Sequence, residues 1–205
     1  INDGKVLKMP MDRDGRLNSV HSFIRDKRGF LWMPTNEGIV RVSVGELTEY
    51  VSDHSVSPSY RIFNERDGLL SNEFNGGCNP AYVVYGDTVV VPSTAGLVLF
   101  CTNDFREMAN PPVTLYQTIG DSTFRVSGGI TISSDDLLQL GFGKVNHANP
   151  YDDRIWYRLM PGSGKWTGHF VNESLFPGRL AAGNYLLQVS GERPSAQNSN
   201  GSVQY

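Results

Sequence analysis

One turn motif occurs twice in this chain, and its recurrence narrows the fold more than any other signal. Pro34-Thr35-Asn36-Glu37-Gly38-Ile39 is answered 58 positions later by Pro92-Ser93-Thr94-Ala95-Gly96-Leu97. A second pair, Asp14-Gly15-Arg16-Leu17 and Asp67-Gly68-Leu69-Leu70, recurs at an offset of 53, so the difference of five reads as a loop insertion. Repetition at this period means units that bury their apolar faces against one another rather than a single isolated core.

The segments around these turns read as strands. Short runs rich in Val, Ile, Leu, Phe, Tyr and Thr alternate with Gly, Pro, Asn and Asp clusters about every ten residues. No long segment carries apolar residues at helical spacing with caps, so almost no helix is expected. Val20–Asp26, Phe30–Thr35, Ile39–Val44 and Leu47–Val51 read as four antiparallel strands of one blade. In the turn Asp26-Lys27-Arg28-Gly29, Asp can bond the turn's own amides and Gly accepts left-handed backbone. Trp32 and Trp166 are expected as buried structural residues, each next to a tight turn. Two repeats do not close a ring, so further blades are expected before Ile1. The first blade should then bare an apolar face and promote self-association.

The texture changes at Asn110-Pro111-Pro112, because neither proline can donate to a sheet ladder. The expected organisation is residues 1–109 as a partial β-propeller of about two blades, 110–112 as a linker, and 113–205 as a β-sandwich. Val113–Ile119, Gly129–Ser133, Leu138–Phe142, Ile155–Met160, Lys165–Val171 and Asn184–Ser190 read as its strands. The polar tail Glu192–Tyr205 is expected to leave the sandwich without its last strand. The chain begins at Ile1 with no signal-peptide pattern, and it is expected to be an excised segment.

Composition removes several function classes. Apolar residues make up 39% and charged residues 19%, the profile of a folded globular chain. The net charge of −3 comes with no Lys/Arg cluster, which argues against a nucleic-acid partner. The longest apolar runs, Thr88–Pro92 and Gly96–Cys101, are too short to cross a bilayer. Cys78 and Cys101 read as two buried free thiols in neighbouring strands, although an oxidising compartment would permit a bridge.

Candidate chemistry is sparse. His21, His54, His147 and His169 are isolated in sequence, with no spacing suited to a metal or a catalytic pair. Asp12-Arg13-Asp14-Gly15 has the look of a calcium loop, but Phe23 stands where the closing Glu belongs. Glu65, Asp67 and Glu73 are carboxylates that a glycosidase would need facing each other across a cleft, and their plain reading is turn capping and solvation. Trp32, Trp156, Tyr157 and Trp166 fit core positions, the alternative being a stacking platform for sugars. No catalytic residue, cofactor or metal is assigned, and no ligand-binding residue is singled out.

These landmarks resemble the two-component regulator propeller followed by its Y_Y_Y domain. The propeller repeat pattern V-x-S-I-x-x-D-x-x-G-x-L-W-I-G-T-x-x-G-L is close to the run Val20 to Ile39, with Pro34 where Gly is usual. The stretch D-G-L-x-S-N-E-F-N appears as Asp67-Gly68-Leu69-Leu70-Ser71-Asn72-Glu73-Phe74-Asn75. The Y-x-Y-R-L, Trp and L-x-x-G-x-Y landmarks appear as Ile155-Trp156-Tyr157-Arg158-Leu159, Trp166 and Leu180-Ala181-Ala182-Gly183-Asn184-Tyr185, with Ile155 in place of the first Tyr. The resemblance implies an all-β chain, propeller blades followed by an immunoglobulin/fibronectin-like sandwich. It also implies a non-enzymatic periplasmic sensor segment of an inner-membrane protein, homodimeric when whole and sensing a glycan or other small nutrient. The membrane helix and the output, a histidine kinase or diguanylate cyclase, would lie outside this segment. The alternative is a binding or spacer module of a secreted carbohydrate-active enzyme.

Overall fold

The computed structural model describes residues 6, 8–9, 11, 15–54, 57–105, 111–133, 137–146, 153–162, 164–178, 180–194 and 203–204. The chain divides into two compact units, Ile1–Glu107 and Met108–Tyr205.

In the first unit, β1 (Ile24–Arg25), β2 (Phe30–Pro34), β3 (Ile39–Ser43) and β4 (Tyr60–Phe63) form an antiparallel sheet in sequence order. The expected fourth strand at Leu47–Val51 is instead part of a helix, α1 (Val44–Ser52). Leu47 and Tyr50 sit three apart on its buried face, and Glu46 in the first turn favours the helix N-terminus. The Ser43-x-x-Glu46 spacing is that of a capping box, but Glu46 Oε2 accepts from the Ser59 amide at 2.6 Å, so the carboxylate ties the returning chain to the helix. The chain is therefore mostly rather than wholly β. A second sheet follows in the order β5 (Val83–Tyr85), β6 (Thr88–Ser93), β7 (Gly96–Cys101).

The repeated turn has the same construction in both sheets. Pro34 pairs with Ile39, and Pro92 with Leu97. Thr35 Oγ1 donates to Gly38 O at 2.9 Å and accepts from the Glu37 amide at 3.0 Å. Ser93 Oγ donates to Gly96 O at 2.9 Å and accepts from the Ala95 amide at 3.3 Å. Gly38 and Gly96 have φ of 124° and 123°, a conformation that side chains other than hydrogen rarely adopt.

Asp26 organises the first hairpin. Its Oδ1 accepts from the amides of Arg28 and Phe30, and its Oδ2 from the Trp32 indole, each at 2.9 Å. The carboxylate thus fixes the turn and the orientation of the largest buried side chain. Trp32 packs among Phe63, Phe100 and Phe105 at centroid separations of 5.4, 5.1 and 4.8 Å. Val89 and Val91 of β6 join this cluster with Ile24, Ile39 and Phe74, so the second sheet covers the Trp32 face of the first. The other face of the first sheet, with Met33, Val40, Val42 and Ile62, is covered by Leu47 of α1 together with Met9, Leu17 and Val20. The first sheet does not bare an apolar face.

In the second unit, β8 (Val113–Ile119), β9 (Ser122–Arg125) and β10 (Gln139–Lys144) form a sheet in the order β10-β8-β9. A second sheet contains β11 (Arg154–Met160), β12 (Thr167–Phe170), β13 (Leu186–Ser190) and β14 (Val203–Gln204) in the order β12-β11-β13-β14. Alternation sends Leu115, Leu140, Phe142, Ile155, Leu187 and Val189 into one core shared by both sheets. Each such burial contributes about 1.5–3 kcal/mol. Gly129–Ser133, expected as a strand, is irregular, while the unforeseen β9 follows β8 through the two-residue turn Gly120-Asp121. The tail supplies β14, which pairs with β13 where no strand was expected.

Candidate functional site

Within the first unit, the repeated turns and the segment Ser71–Gly76 build a polar edge. The Phe74 amide donates to Thr35 O at 3.1 Å, the Asn75 amide to Pro92 O at 3.1 Å, and the Thr94 amide to Glu73 O at 3.0 Å. The segment is a strap laced into both hairpin turns. Its anchor is Phe74, buried in the aromatic cluster.

The nine-residue stretch Asp67–Asn75 explains how the strap is set. Asn64 and Asp67 form a reciprocal capping box around a short 3-10 turn, Glu65–Asp67. Gly68 ends it in left-handed backbone at φ 100°. Asn72 Oδ1 accepts from the Glu65 amide at 2.9 Å, and Ser71 Oγ from the Glu73 amide at 3.1 Å. These residues are therefore structural, and their effect is to hold Glu73 and Asn75 exposed beside the turns.

Around that strap stand Arg16 paired with Glu37 at 3.3 Å, His21 Nε2 with Asn36 Oδ1 at 2.7 Å, and Ser71 Oγ with Thr94 Oγ1 at 2.8 Å. Gly76 lies against the His21 ring, where an added Cβ would come within 2.4 Å of Nδ1. Amides, carboxylates and hydroxyls thus converge on one edge. Such a surface can donate to and accept from a polyhydroxylated ligand. Sequence reading passed over it because its parts come from five separated turns, each unremarkable alone.

The other residues weighed as functional are placed as follows. Asp67 is spent on its cap, accepting from the Asn64 amide at 3.0 Å. His54 is 5.9 Å from the Tyr50 ring, and His169 sets its ring edge-on to Phe142 and Tyr157. His147 and Asp12-Arg13-Asp14 lie outside the described residues. No group of three potential metal ligands occurs among the described residues. Cys78 and Cys101 are free and half-buried, and Cys78 sits in a bend rather than a strand.

The aromatics do not form a platform. Trp32 is fully buried and Trp156 nearly so, the latter with Arg193 5.0 Å above its ring. Trp166, expected to be buried inside a strand, precedes β12 and is half-buried beneath the Arg158 guanidinium at 4.8 Å. Arg158 also bonds Gln188 Oε1 at 2.5 Å, on the face opposite Tyr157.

Within the second unit, a cavity of about 610 Å³ opens beside Tyr157, walled by Leu115, Ile130, Leu138, Leu159 and Leu187. Burial pushes the Tyr157 phenol above its ordinary pKa, so it stays neutral here. The walls are aliphatic, with Thr131 and Asn184 among the few polar contributors. This cavity suits an apolar group and offers little to a sugar.

No family model matches the chain. Among solved structures it is similar to the extracellular domain described as that of a hybrid two-component system from B. thetaiotaomicron, with TM-score 0.46 and 17% identity, covering 90% of this chain and 25% of that one. It is also similar to an extracellular domain described as that of a one-component system from the same organism, with TM-score 0.39 and 16% identity, covering 89% and 30%. In sequence, the chain is 24% identical over 201 residues to "Histidine kinase P4" of Formosa agariphila, covering 90% of this chain and spanning 14% of that protein's length.

Proposed function

We propose that this chain is part of the extracytoplasmic sensing region of a membrane-bound bacterial signalling protein. In this reading the first unit contributes β-propeller blades and the second an immunoglobulin-like sandwich of the Y_Y_Y type. The blades carry the ligand surface, and the sandwich relays its occupancy towards a membrane helix and a cytoplasmic kinase or cyclase in a homodimer. The carrying observation is the sequence similarity to a histidine kinase, which runs through both units rather than through one. The duplicated turn supports the blade reading, since two sheets share one turn chemistry at a fixed offset.

The polar edge at Arg16, His21, Asn36, Glu37, Glu73 and Thr94 is the surface proposed to meet the ligand, and a glycan is the class it fits. Hydrogen-bonding groups dominate there, and none of the carboxylates is paired as glycoside hydrolysis requires. No catalytic role is assigned. Among the described residues no helix is long and apolar enough to cross a membrane, so the proposal puts the crossing elsewhere in the polypeptide.

The complete gene tests the reading. It is expected to encode one apolar helix of about 20 residues followed by a transmitter domain. A catalytic carbohydrate-active domain with no membrane helix and no transmitter would overturn it.

A further inference from the structure

The second sheet is covered on one face only. Val83, Tyr85, Leu97 and Leu99 are 53%, 86%, 69% and 64% exposed. Register puts them on one side: Val83 pairs with Val90 and Val90 with Leu99, while Pro92 pairs with Leu97. The outer face of β5–β7 is thus a continuous apolar patch, larger than scattered surface hydrophobes produce.

The repeat identifies what belongs on it. Val89, Val91, Val98 and Phe100, which face the core, stand 58 positions after Leu31, Met33, Val40 and Val42. Val90, Pro92, Leu97 and Leu99, which face outward, stand 58 positions after Trp32, Pro34, Ile39 and Arg41. Those first-sheet residues are buried, on the face that Val89 and Val91 cover. Packing in the first unit is therefore directional: the Trp32-type face of one repeat receives the Leu31-type face of the next.

We propose that the outer face of β5–β7 receives a further antiparallel sheet of the same repeat, carried by another part of the polypeptide to which this chain belongs. The occupant presents aliphatic side chains at alternate positions on two hairpin strands, as Val89, Val91, Val98 and Phe100 do. A second copy of this chain does not fit, because both of its faces of that type are engaged. One is covered by Leu47, Met9, Leu17 and Val20, the other lies against Trp32. The inference rests on the blade reading of the first unit and not on the sensing role.

The test is maleimide labelling of Leu99→Cys, with Leu97→Cys as a second probe, both in a Cys78→Ser, Cys101→Ser background. Each is labelled in this chain alone and in the complete protein its gene encodes. Rapid labelling in the chain alone and labelling at least about tenfold slower in the complete protein are expected, since burial limits access to transient openings. Equal rates in the two would overturn the proposal. So would protection in the chain alone that grows with concentration, which would assign the face to a second copy. A protected Leu99 in a protein without a transmitter would leave this inference standing and sink the sensing role alone.

Discussion

The two sheets of the first unit share a turn but not a core. Both close β2–β3 and β6–β7 with a hydroxyl residue and a positive-φ glycine, in the same register. Only the first carries the Asp26–Trp32 latch, since the positions 58 later are Val84 and Val90. Only the first gains a helix over one face and a fourth strand at its edge. The difference separates two layers of encoding. Turn chemistry and aliphatic alternation specify the backbone of the repeat, whereas aromatic filling is supplied once and shared by both sheets.

Substitutions can break or sharpen that contrast. The largest effect is expected at Trp32, where replacement by Ala empties the space among Phe63, Phe100 and Phe105 and should cost about 3–5 kcal/mol in urea unfolding. A cost below about 1 kcal/mol would mean that the cluster is not the shared core. Next comes Asp26→Ala, which strands two backbone amides and the indole and is expected to cost about 2–3 kcal/mol. Asp26→Asn, keeping part of the bonding, should fall between it and the wild type in thermal denaturation.

The paired glycines give a finer comparison. Gly96→Ala is expected to cost about 1–3 kcal/mol from backbone strain, because nothing lies within 4 Å of the added Cβ. Gly38→Ala should cost more than Gly96→Ala, since its Cβ would meet Phe63 O at 2.2 Å. Equal losses at the two sites in the same denaturant series would remove the distinction between a packed and an open turn. The smallest effect is expected for Leu99→Ala, about 0.5 kcal/mol or less in this chain, as for surface positions generally.

What the sequence made legible follows the range of the interactions. The hairpin turns and the strands Phe30–Pro34, Ile39–Ser43 and Val113–Ile119 were readable because alternation and Gly are local signals. Helix α1 was missed because Val44, Thr48, Tyr50 and Val51 favour strands, although Leu47 and Tyr50 keep helical spacing. Trp166 was misplaced because size alone does not fix burial when an Arg from a neighbouring strand can cover the ring. The polar edge was illegible for another reason: its contacts join residues 15 to 23 positions apart through turns whose proximity only the fold creates.

The contrast between a closed and an open sheet can be read most directly at one repeat-related pair, Ile39 and Leu97, which are 2% and 69% exposed. Each is replaced by Cys in turn, in a Cys78→Ser, Cys101→Ser background, and the native chain is labelled with a maleimide. Leu97→Cys should react close to the rate of the unfolded chain. Ile39→Cys should react about a thousandfold more slowly, as expected when access requires opening against a stability of about 5 kcal/mol. Comparable rates at the two positions would contradict the account, because repeat-equivalent residues would then share one environment.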